Sequence, residues 1–366
     1  MNQQLDWQRV RQDALAADLD ALRERVRGEL GEADVRHMRE TIRRSFTLAA
    51  TGRVLLHVGV DPISFVVGTG ALALAKILEN MEIGHNIMHG QYDWTGDPAL
   101  QGATYEWDLV CDGDNWRHYH NYEHHAYTGV LGMDRDIGYE ALRVAPEQPW
   151  KPHHLFQPVH ATILALLFQW GVALHDLRLN EYAEGRRPWR ELPSKAQPFL
   201  RKAAWQLGKD YVFFPLIAGL NAPRVFLGNL VANGIRNVWT FVVIFCGHFP
   251  EGVEVFTDPP REGESRGAWY ERQIRGSANL EGGPLFHLMT GHLSHQIEHH
   301  LFPDIPAARY PELATEVQEI CERHGLPYHT GSLWKQFGSV VRNLFRYAVP
   351  QPGLLRNWFR PRSTHG

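Results

Sequence analysis

Residues 116–125 read WRHYHNYEHH, a stretch that places four histidines within eight positions. His120 and His124 are four residues apart, so on a helix their rings lie on one face and can share one metal ion. His125 points about 100° away from His124 on the same helix and can reach a second ion. A solvated surface has no reason to gather imidazoles in this way, so the stretch predicts a metal centre held by helices.

Two further histidine motifs lie on either side of this stretch. Residues 82–89 (EIGHNIMH) repeat the four-residue spacing in His85 and His89, directly after an apolar run. Residues 291–303 (GHLSHQIEHHLFP) again contain an adjacent pair, at positions 299 and 300. One such pair is weak evidence for a metal, but three motifs together indicate a single site assembled from distant parts of the chain.

The donor set indicates two ions rather than one. Imidazole suits zinc, copper, iron and nickel, and eight or more histidines exceed what one tetrahedral zinc needs. His248 closes the last apolar run and could complete the set. Glu82, Glu123 and Glu298 lie near these histidines in sequence, where they could accept the other ring N–H or be exposed on the surface. A purely structural zinc site is the alternative.

Composition excludes several other classes of protein. The chain has 366 residues, of which 44% are hydrophobic, and a net charge of −4 without a concentrated basic patch, which argues against a nucleic-acid partner. Its three cysteines are far apart, so neither a disulfide framework nor a cysteine zinc site is expected. A reducing compartment fits this cysteine usage.

Four apolar runs, at 54–75, 161–174, 211–232 and 238–247, favour a membrane bundle with short, imperfect spans over a soluble helical bundle. None is a clean stretch of about 20 apolar residues, and the mean hydropathy of −0.34 is low for a polytopic protein. The positive-inside rule places the basic residues around 36–44 and those in 178–202 on the cytoplasmic side. The metal site is expected on the same side, so a single crossing between His125 and Arg178 would be inconsistent, and the run 161–174 is re-entrant or the rule fails here.

The remaining segments are charged or polar. Residues 1–45 form an arm in which Leu19, Leu22 and Val26 recur at helical spacing, which predicts an amphipathic helix on the protein or on a membrane surface. Residues 258–279 are rich in Gly, Arg and Glu and read as a loop.

The three motifs, in this order, resemble those of the membrane fatty-acid desaturases. The phrases GHNIMHGQYDW, HNYEHHAYTG and HQIEHHLFPDIP look most like the bacterial acyl desaturase branch, which includes mycobacterial stearoyl-CoA desaturase. The resemblance covers residues 51–310, about 70% of the chain. It implies an all-α integral membrane bundle of about four apolar helices under a cytoplasmic helical cap. It divides the chain into the arm at 1–45, a desaturase domain at 46–310 and a helical tail at 311–366.

The resemblance also implies a site that holds two irons. Many relatives have a histidine where Gln296 stands, but the adjacent His295 keeps the four-residue spacing to His299 and is the better iron donor, so either could supply the contact. The positions that match the family's metal ligands, with these two alternatives, are His85, His89, His120, His124, His125, His248, His295, Gln296, His299 and His300.

The activity implied is an O2-dependent desaturation that places a cis double bond in an acyl-CoA or lipid-linked chain. Electrons would come from a separate ferredoxin or flavin reductase, since no haem-binding HPGG motif or rubredoxin cysteines occur. The implied location is a bacterial cell membrane with the site facing the cytoplasm. A di-iron hydroxylase or ketolase on alkyl or isoprenoid lipids, and a non-catalytic metal-binding membrane protein, are the alternatives. Candidate substrate-lining residues, which could equally be core, are Trp94, Trp107, Trp116 and Trp239.

Overall fold

The computed structural model describes residues 2–260 and 262–350, with side chains from Arg9 onward. This part of the chain is mostly helical, as predicted, with one two-stranded parallel sheet, β1 (Asn279–Glu281) and β2 (Thr330–Ser332). Three π-helical segments also occur, at Leu78–Gly84, Arg117–His124 and Gly208–Phe213. The α-helices are α1 (Asn2–Gly28), α2 (Glu32–Val58), α3 (Pro62–Ile77), α4 (His85–Met88), α5 (Gly113–Trp116), α6 (His125–Tyr127), α7 (Gln157–Leu166), α8 (Phe168–Asp176), α9 (Leu179–Ala183), α10 (Leu192–Leu207), α11 (Phe214–Ile217), α12 (Ala222–His248), α13 (Arg266–Arg275), α14 (Pro284–Met289), α15 (Gln296–Leu301), α16 (Tyr310–Arg323) and α17 (Leu333–Ala348).

Four helical passes pack into a bundle. α2 and α3 form a hairpin, α12 packs against α3, and α10 continues through a π segment into α11, which packs against α12. Asp61 begins α3 by accepting the Ser64 N–H at 2.9 Å, and Pro62 fits the first turn because its N–H would be unpaired there. The apolar run 54–75 is therefore split between two helices, whereas the run 238–247 joins the end of 211–232 in α12.

Small residues let these passes approach closely. A Cβ atom on Gly52 of α2 would lie 2.7 Å from the carbonyl oxygen of Gly68 in α3. A Cβ on Gly228 of α12 would lie 2.8 Å from Leu56 of α2. Glycine at a helix contact is typical of helices packed in a membrane, where close van der Waals contact replaces the hydrophobic drive.

Among the described residues, two helices are long and apolar enough to cross a membrane, Pro62–Met88 and Gly219–His248. A third span results if Pro152–Leu166 and Phe168–Asp176 are counted as one, although this pair is bent by 99°. By length and composition alone, two or three such spans are therefore supported within this part of the chain, where about four apolar helices are expected from the sequence. α2 completes a pass of the bundle but carries too many charges to qualify, because four arginines lie between residues 36 and 44.

Both ends of the bundle are tied together by polar contacts. At one end, Asp34 near the start of α2 pairs with Arg309 at 2.6 Å, and α12 ends at His248. At the other end, the Asn221 side chain donates to the His57 carbonyl at 2.6 Å and joins the two turns. Between these ends, exposed apolar side chains cover the outer faces of the passes, and they include Phe46, Val54, Val58, Val60, Ile63, Val66, Leu200, Trp205, Val212, Phe213, Leu216, Ile217, Leu220, Phe226 and Leu230.

A cap covers the end of the bundle at which α12 terminates. It consists of α1, α13, α15 and α16, which share one apolar core. Leu19, Leu22 and Val26 of α1 are buried in this core, so the predicted amphipathic helix packs on the protein itself.

The predicted loop at 258–279 is wrong in its centre, which folds as α13. Ser265 accepts the Ala268 N–H at 3.2 Å and begins the helix, and the buried side chains of Tyr270 and Ile274 hold it in the cap. Tyr270 and Ile274 have helical spacing, but the surrounding glycines and charged residues favour a loop when the sequence is considered alone.

The predicted domain limits fall on continuous structure. Position 45/46 lies inside α2, and position 310/311 lies at the start of α16, which shares its core with α1. Residues 351–366 of the predicted tail lie outside the described residues.

Candidate metal centre

π-Helical turns present the first two histidine motifs. α3 passes through the π segment Leu78–Gly84 into α4, whose first residue is His85. The second motif lies in the π segment Arg117–His124 and continues into α6 at His125. π-Helical turns are frequent at functional sites. His85 and His89 lie on α4 and its C-terminal cap, as the four-residue spacing predicts, whereas His120 and His124 lie on a π-helix rather than the predicted α-helix, although their rings still converge.

Eight histidines from four parts of the chain meet beneath the cap. His85, His89, His120 and His299 form a first group whose ligand atoms all lie within 4.8 Å of one another. A second group is formed by His124, His248 and His300 under the same limit.

His125 lies between the two groups. One of its ring nitrogens falls within 4.8 Å of ligand atoms on His299 and His300, one from each group. Its ring makes an interplanar angle of 79° with that of His124, so the adjacent pair faces in two directions, as the sequence predicts.

The ring nitrogens have the separations and the lack of partners that an ion would explain. The Nε2 atoms of His85 and His120 are 3.2 Å apart, and those of His300 and His248 are 3.3 Å apart. Two imidazoles bound to one ion at about 2.1 Å hold their nitrogens about 3.0 to 3.4 Å apart. Nε2 of His299 is buried and has no hydrogen-bond partner among residues 2–260 and 262–350. Because buried polar atoms are rarely unpaired, the residues present fit a metal centre.

Burial keeps the central imidazoles neutral. Desolvation, together with the neighbouring histidines, lowers the pKa of His125, His299 and His300 well below its ordinary value. A neutral imidazole has a lone pair available for a metal ion, so the fold prepares these rings for binding.

Carboxylate, hydroxyl and amide groups orient the second group. Burial opposes protonation of His124, but the charge and hydrogen bond of Asp134 outweigh it and raise its pKa to about 9. The Nδ1–H of His124 donates to Asp134 at 3.0 Å, so a metal ion would bind at Nε2 and displace the proton that this nitrogen carries in the metal-free ring. His300 Nδ1 lies 3.0 Å from Gln273 Oε1 and 3.1 Å from Thr128 Oγ1.

These orienting residues were missed in the sequence. Asp134 follows His124 by ten positions in the segment GMDRD, and an acidic residue so near a motif is a usable signal. Gln273 lies in the segment that was interpreted as a loop, and nothing local marks it.

The three predicted outer glutamates have other partners. Glu82 accepts from His292 at 2.8 Å and lies 3.2 Å from His37 Nε2. Glu123 pairs with Arg178 and His118, and Glu298 accepts from Asn279 and Tyr328. Within the described residues, none of the three hydrogen-bonds to a ring of the two groups.

The structure separates the two alternatives in the third motif. Gln296 points at the second group, with its Nε2 3.1 Å from His248 Nε2. His295 lies apart, with its ring 4.6 Å from that of His287 and its Nδ1 3.8 Å from Glu298. Gln296, whose amide is a poorer iron donor than an imidazole, is therefore the residue that lies beside the second group.

A cavity adjoins the histidines and encloses, with its mouth, about 930 Å³. Trp107 and Trp116 line it, together with apolar side chains such as Phe168 and Leu293. Trp94 and Trp239 do not, since Trp94 is half-exposed and Trp239 donates to the Met289 carbonyl at 2.7 Å. An apolar cavity that ends at a metal centre suits a long hydrocarbon chain.

The chain belongs to the fatty acid desaturase family. The sequence model described as "Fatty acid desaturase" matches residues 63–332, which is more than half of the chain. The predicted family is confirmed, and the protein is an acyl desaturase, an oxidoreductase of lipid metabolism.

Several characterised desaturases are similar over most of the chain. An NADPH-dependent stearoyl-CoA 9-desaturase of Mycobacterium tuberculosis is 46% identical over 347 residues, which cover 94% of this chain and 81% of that protein. An sn-1 linoleoyl-lipid 6-desaturase of Synechocystis is 29% identical over 299 residues, covering 78% and 81%. An acyl-lipid (8-3)-desaturase of Mortierella alpina is 24% identical over 276 residues, covering 72% and 61%.

Proposed function

We propose that the protein inserts a cis double bond into the saturated chain of a long acyl-CoA, using O2 and two iron ions. The single observation that carries this proposal is the convergence of eight histidines from three motifs and α12 at the end of an apolar cavity. The substrate class is taken from the mycobacterial relative, which is named a stearoyl-CoA 9-desaturase. The same similarity, rather than any feature of the site, favours desaturation over hydroxylation.

The proposed ligands divide between two ions. His85, His89, His120 and His299 would hold one iron, and His124, His248 and His300 would hold the other. His125 and Gln296 lie within reach of the pair and complete the proposed set, whereas His295 remains outside it. Iron supplies the redox chemistry that an unactivated C–H bond needs, since no acid or base side chain can abstract such a hydrogen.

The balance of the reaction defines what must reach the site. Two hydrogens leave adjacent carbons, and one O2 accepts them with two electrons and two protons to give two waters. The two electrons come from a separate donor protein. A flavin reductase fits the name of the NADPH-dependent relative better than a ferredoxin alone.

The chain's own contribution is orientation and exclusion of water. Trp107 and Trp116 lie with their ring centroids 5.0 Å apart, and Trp116 stacks on His120 at 4.4 Å. These aromatic walls would press the hydrocarbon against the first group and fix which carbons face the ions.

The bundle is proposed to cross the bacterial cell membrane several times with the cap in the cytoplasm. The bend of 99° between α7 and α8 would return the chain to the side from which it came. The arginines of α2 and the basic segment 178–202 then lie on one side, which agrees with the positive-inside rule.

Expression in a bacterium that lacks desaturases tests the proposal. The wild-type chain should produce a monounsaturated fatty acid that gas chromatography and mass spectrometry locate by chain length and bond position. His124→Ala should abolish this product. The matched control is His118→Ala, because His118 lies in the same motif but is exposed and outside both groups.

Metal analysis of the purified protein completes this test. About two irons per chain are expected in the wild type and in the His118→Ala variant. An alcohol as the product would favour the hydroxylase alternative, and one zinc without iron would exclude the oxidative function.

A further inference from the structure

A buried arginine without a contacting carboxylate lies in the wall of the acyl cavity. Arg236 of α12 is 2% exposed and lines the cavity. Its hydrogen bonds within the described residues go to two neutral amides, from Nε to Asn237 Oδ1 at 3.1 Å and from Nη2 to Asn233 Oδ1 at 3.4 Å. Nη1 has no hydrogen-bond partner there. A charge buried without a counter-ion is costly, so its presence calls for an explanation.

The nearby carboxylate is already occupied by other cations. Asp210 is fully buried and pairs with Lys76 at 2.9 Å and with Arg53 at 3.0 Å. Asn233 also donates to Asp210, at 3.1 Å, and so stands between this carboxylate and Arg236. Asp210 is therefore shared by Lys76 and Arg53, whereas Arg236, on which Asp108 and Asp210 act only without contact, is the cation that borders the cavity without a contacting carboxylate.

The polar residues of the cavity wall near Arg236 form a local patch. The Asn80 side chain donates to Thr240 Oγ1 at 2.8 Å, and Thr240 donates to the Arg236 carbonyl at 2.9 Å. All three residues and Asn237 line the cavity. Arg236 precedes His248 by twelve residues on α12, which corresponds to about 18 Å along the helix axis. Asn80, at the near side of this patch, is only five residues before His85, whereas Arg236 lies well away from the second group of histidines, where the distal half of a bound acyl chain would extend.

We propose that Arg236 is a binding site for an oxygen acceptor at the distal end of the acyl chain. The substrate class this site fits is the ω-oxygenated acyl group, with a terminal hydroxyl or carboxylate that accepts from Nη1. A terminal methyl group cannot accept a hydrogen bond from the guanidinium, whereas a terminal oxygen can accept one from this charged donor. This inference rests on the proposed acyl function, and it adds a selectivity that the metal centre does not supply.

Equilibrium binding to the full-length protein in lipid nanodiscs tests the site without turnover. The probes are stearoyl-CoA, 18-hydroxystearoyl-CoA and octadecanedioyl-CoA, and the readout is the ratio of their dissociation constants. The wild type should bind at least one oxygenated probe about tenfold more tightly than stearoyl-CoA, as expected for a hydrogen bond to a charged group. Comparison of the hydroxyl probe with the carboxylate probe shows whether the hydrogen-bond acceptor must be charged.

The variant Arg236→Leu should remove this preference and leave stearoyl-CoA binding equal or tighter. Arg224→Leu is the matched control, because Arg224 lies on the same helix but bonds to Ser64 near the opposite end of the bundle. Should Arg236→Leu fail to fold, the wild-type ratio still decides. Equal binding of all three probes overturns the inference and leaves the acyl function standing. Failure of the wild type to bind any of them overturns both.

Discussion

His124 depends on Asp134 for the orientation of its ring, and this dependence can be measured. Replacing Asp134 with Asn should weaken iron binding by about 10- to 100-fold, because the amide no longer fixes the proton on Nδ1. Iron content after dialysis against a graded chelator gives the affinity. Asp97→Asn, which alters a carboxylate paired with Arg39 at the surface, should leave it unchanged. Equal iron retention in both variants would contradict an orienting role.

The third motif yields a second prediction at the residue scale. His295→Ala should keep the full iron content, because its ring lies outside both groups. Gln296→Ala should lower iron content by removing the amide 3.1 Å from His248. Metal analysis and Mössbauer spectra of the two variants compare them directly. Loss of iron in His295→Ala with retention in Gln296→Ala would reverse the assignment.

The sequence predicts the candidate metal ligands better than it predicts the residues that orient those ligands. His120 and His124 are recognisable because metal chemistry restricts both residue type and spacing. The partners Asp134 and Gln273 are fixed only by tertiary structure, since Gln273 reaches His300 across the cap from 27 residues away. For the same reason, the contacts of Glu82 with His37 and His292 could not be read from adjacency in sequence.

At the scale of elements, the hairpin of α2 and α3 depends on glycine contacts. Gly52→Ala should lower the melting temperature, because the added Cβ would meet the Gly68 carbonyl at 2.7 Å and overpacking costs about 1 to 3 kcal/mol. Gly70→Ala on α3 is the matched control, since its Cβ would meet nothing within 4 Å. Differential scanning fluorimetry in detergent measures both. A melting temperature lowered equally by the two substitutions would contradict the close approach.

The sequence predicts the long helices, but not the positions at which they break or change to π-helix. Apolar runs marked α3 and α12, but the hydropathy signal did not show that Asp61 and Pro62 divide one run into two helices. The π segment at 117–124 was also not predicted, because π-helices are rare and the four-residue spacing of His120 and His124 is equally compatible with an α-helix. α13 was missed since its buried face is narrow and lies within a polar segment.

For the whole molecule, the arrangement of passes bears on the conflict in the charge pattern. α2 and α3 leave the cap end and return to it, and α10–α11 and α12 do the same. The bent pair α7–α8 lies between these two hairpins in sequence. The arginine-rich start of α2, the basic segment at 178–202 and the histidines can therefore share one side, which a count of apolar runs does not predict.

The buried imidazoles should make the stability of the whole metal-free protein depend on pH. Burial lowers the pKa of His125, His299 and His300 below its unfolded value of about 6.5. Below that pH the histidines bind protons in the unfolded chain but stay neutral in the folded chain. Their contribution to the free energy of unfolding is therefore complete above about pH 6.5 and is lost as the pH falls. Each such histidine contributes up to about 1.4 kcal/mol per pH unit.

Thermal unfolding of the metal-free protein between pH 7.5 and 5 measures this effect. The melting temperature should fall with decreasing pH, and the fall should be shallower in His125→Gln, which removes one of the titrating rings. Iron-loaded protein should resist acid over the upper part of this range, because bound metal competes with protons for the same nitrogens. Other buried groups, such as Glu298 with a pKa raised to about 7 by burial, titrate in the same range with the opposite sign, so the comparison between variants decides. A fall that is equally steep in the wild type and in His125→Gln would contradict a neutral His125 in the metal-free fold.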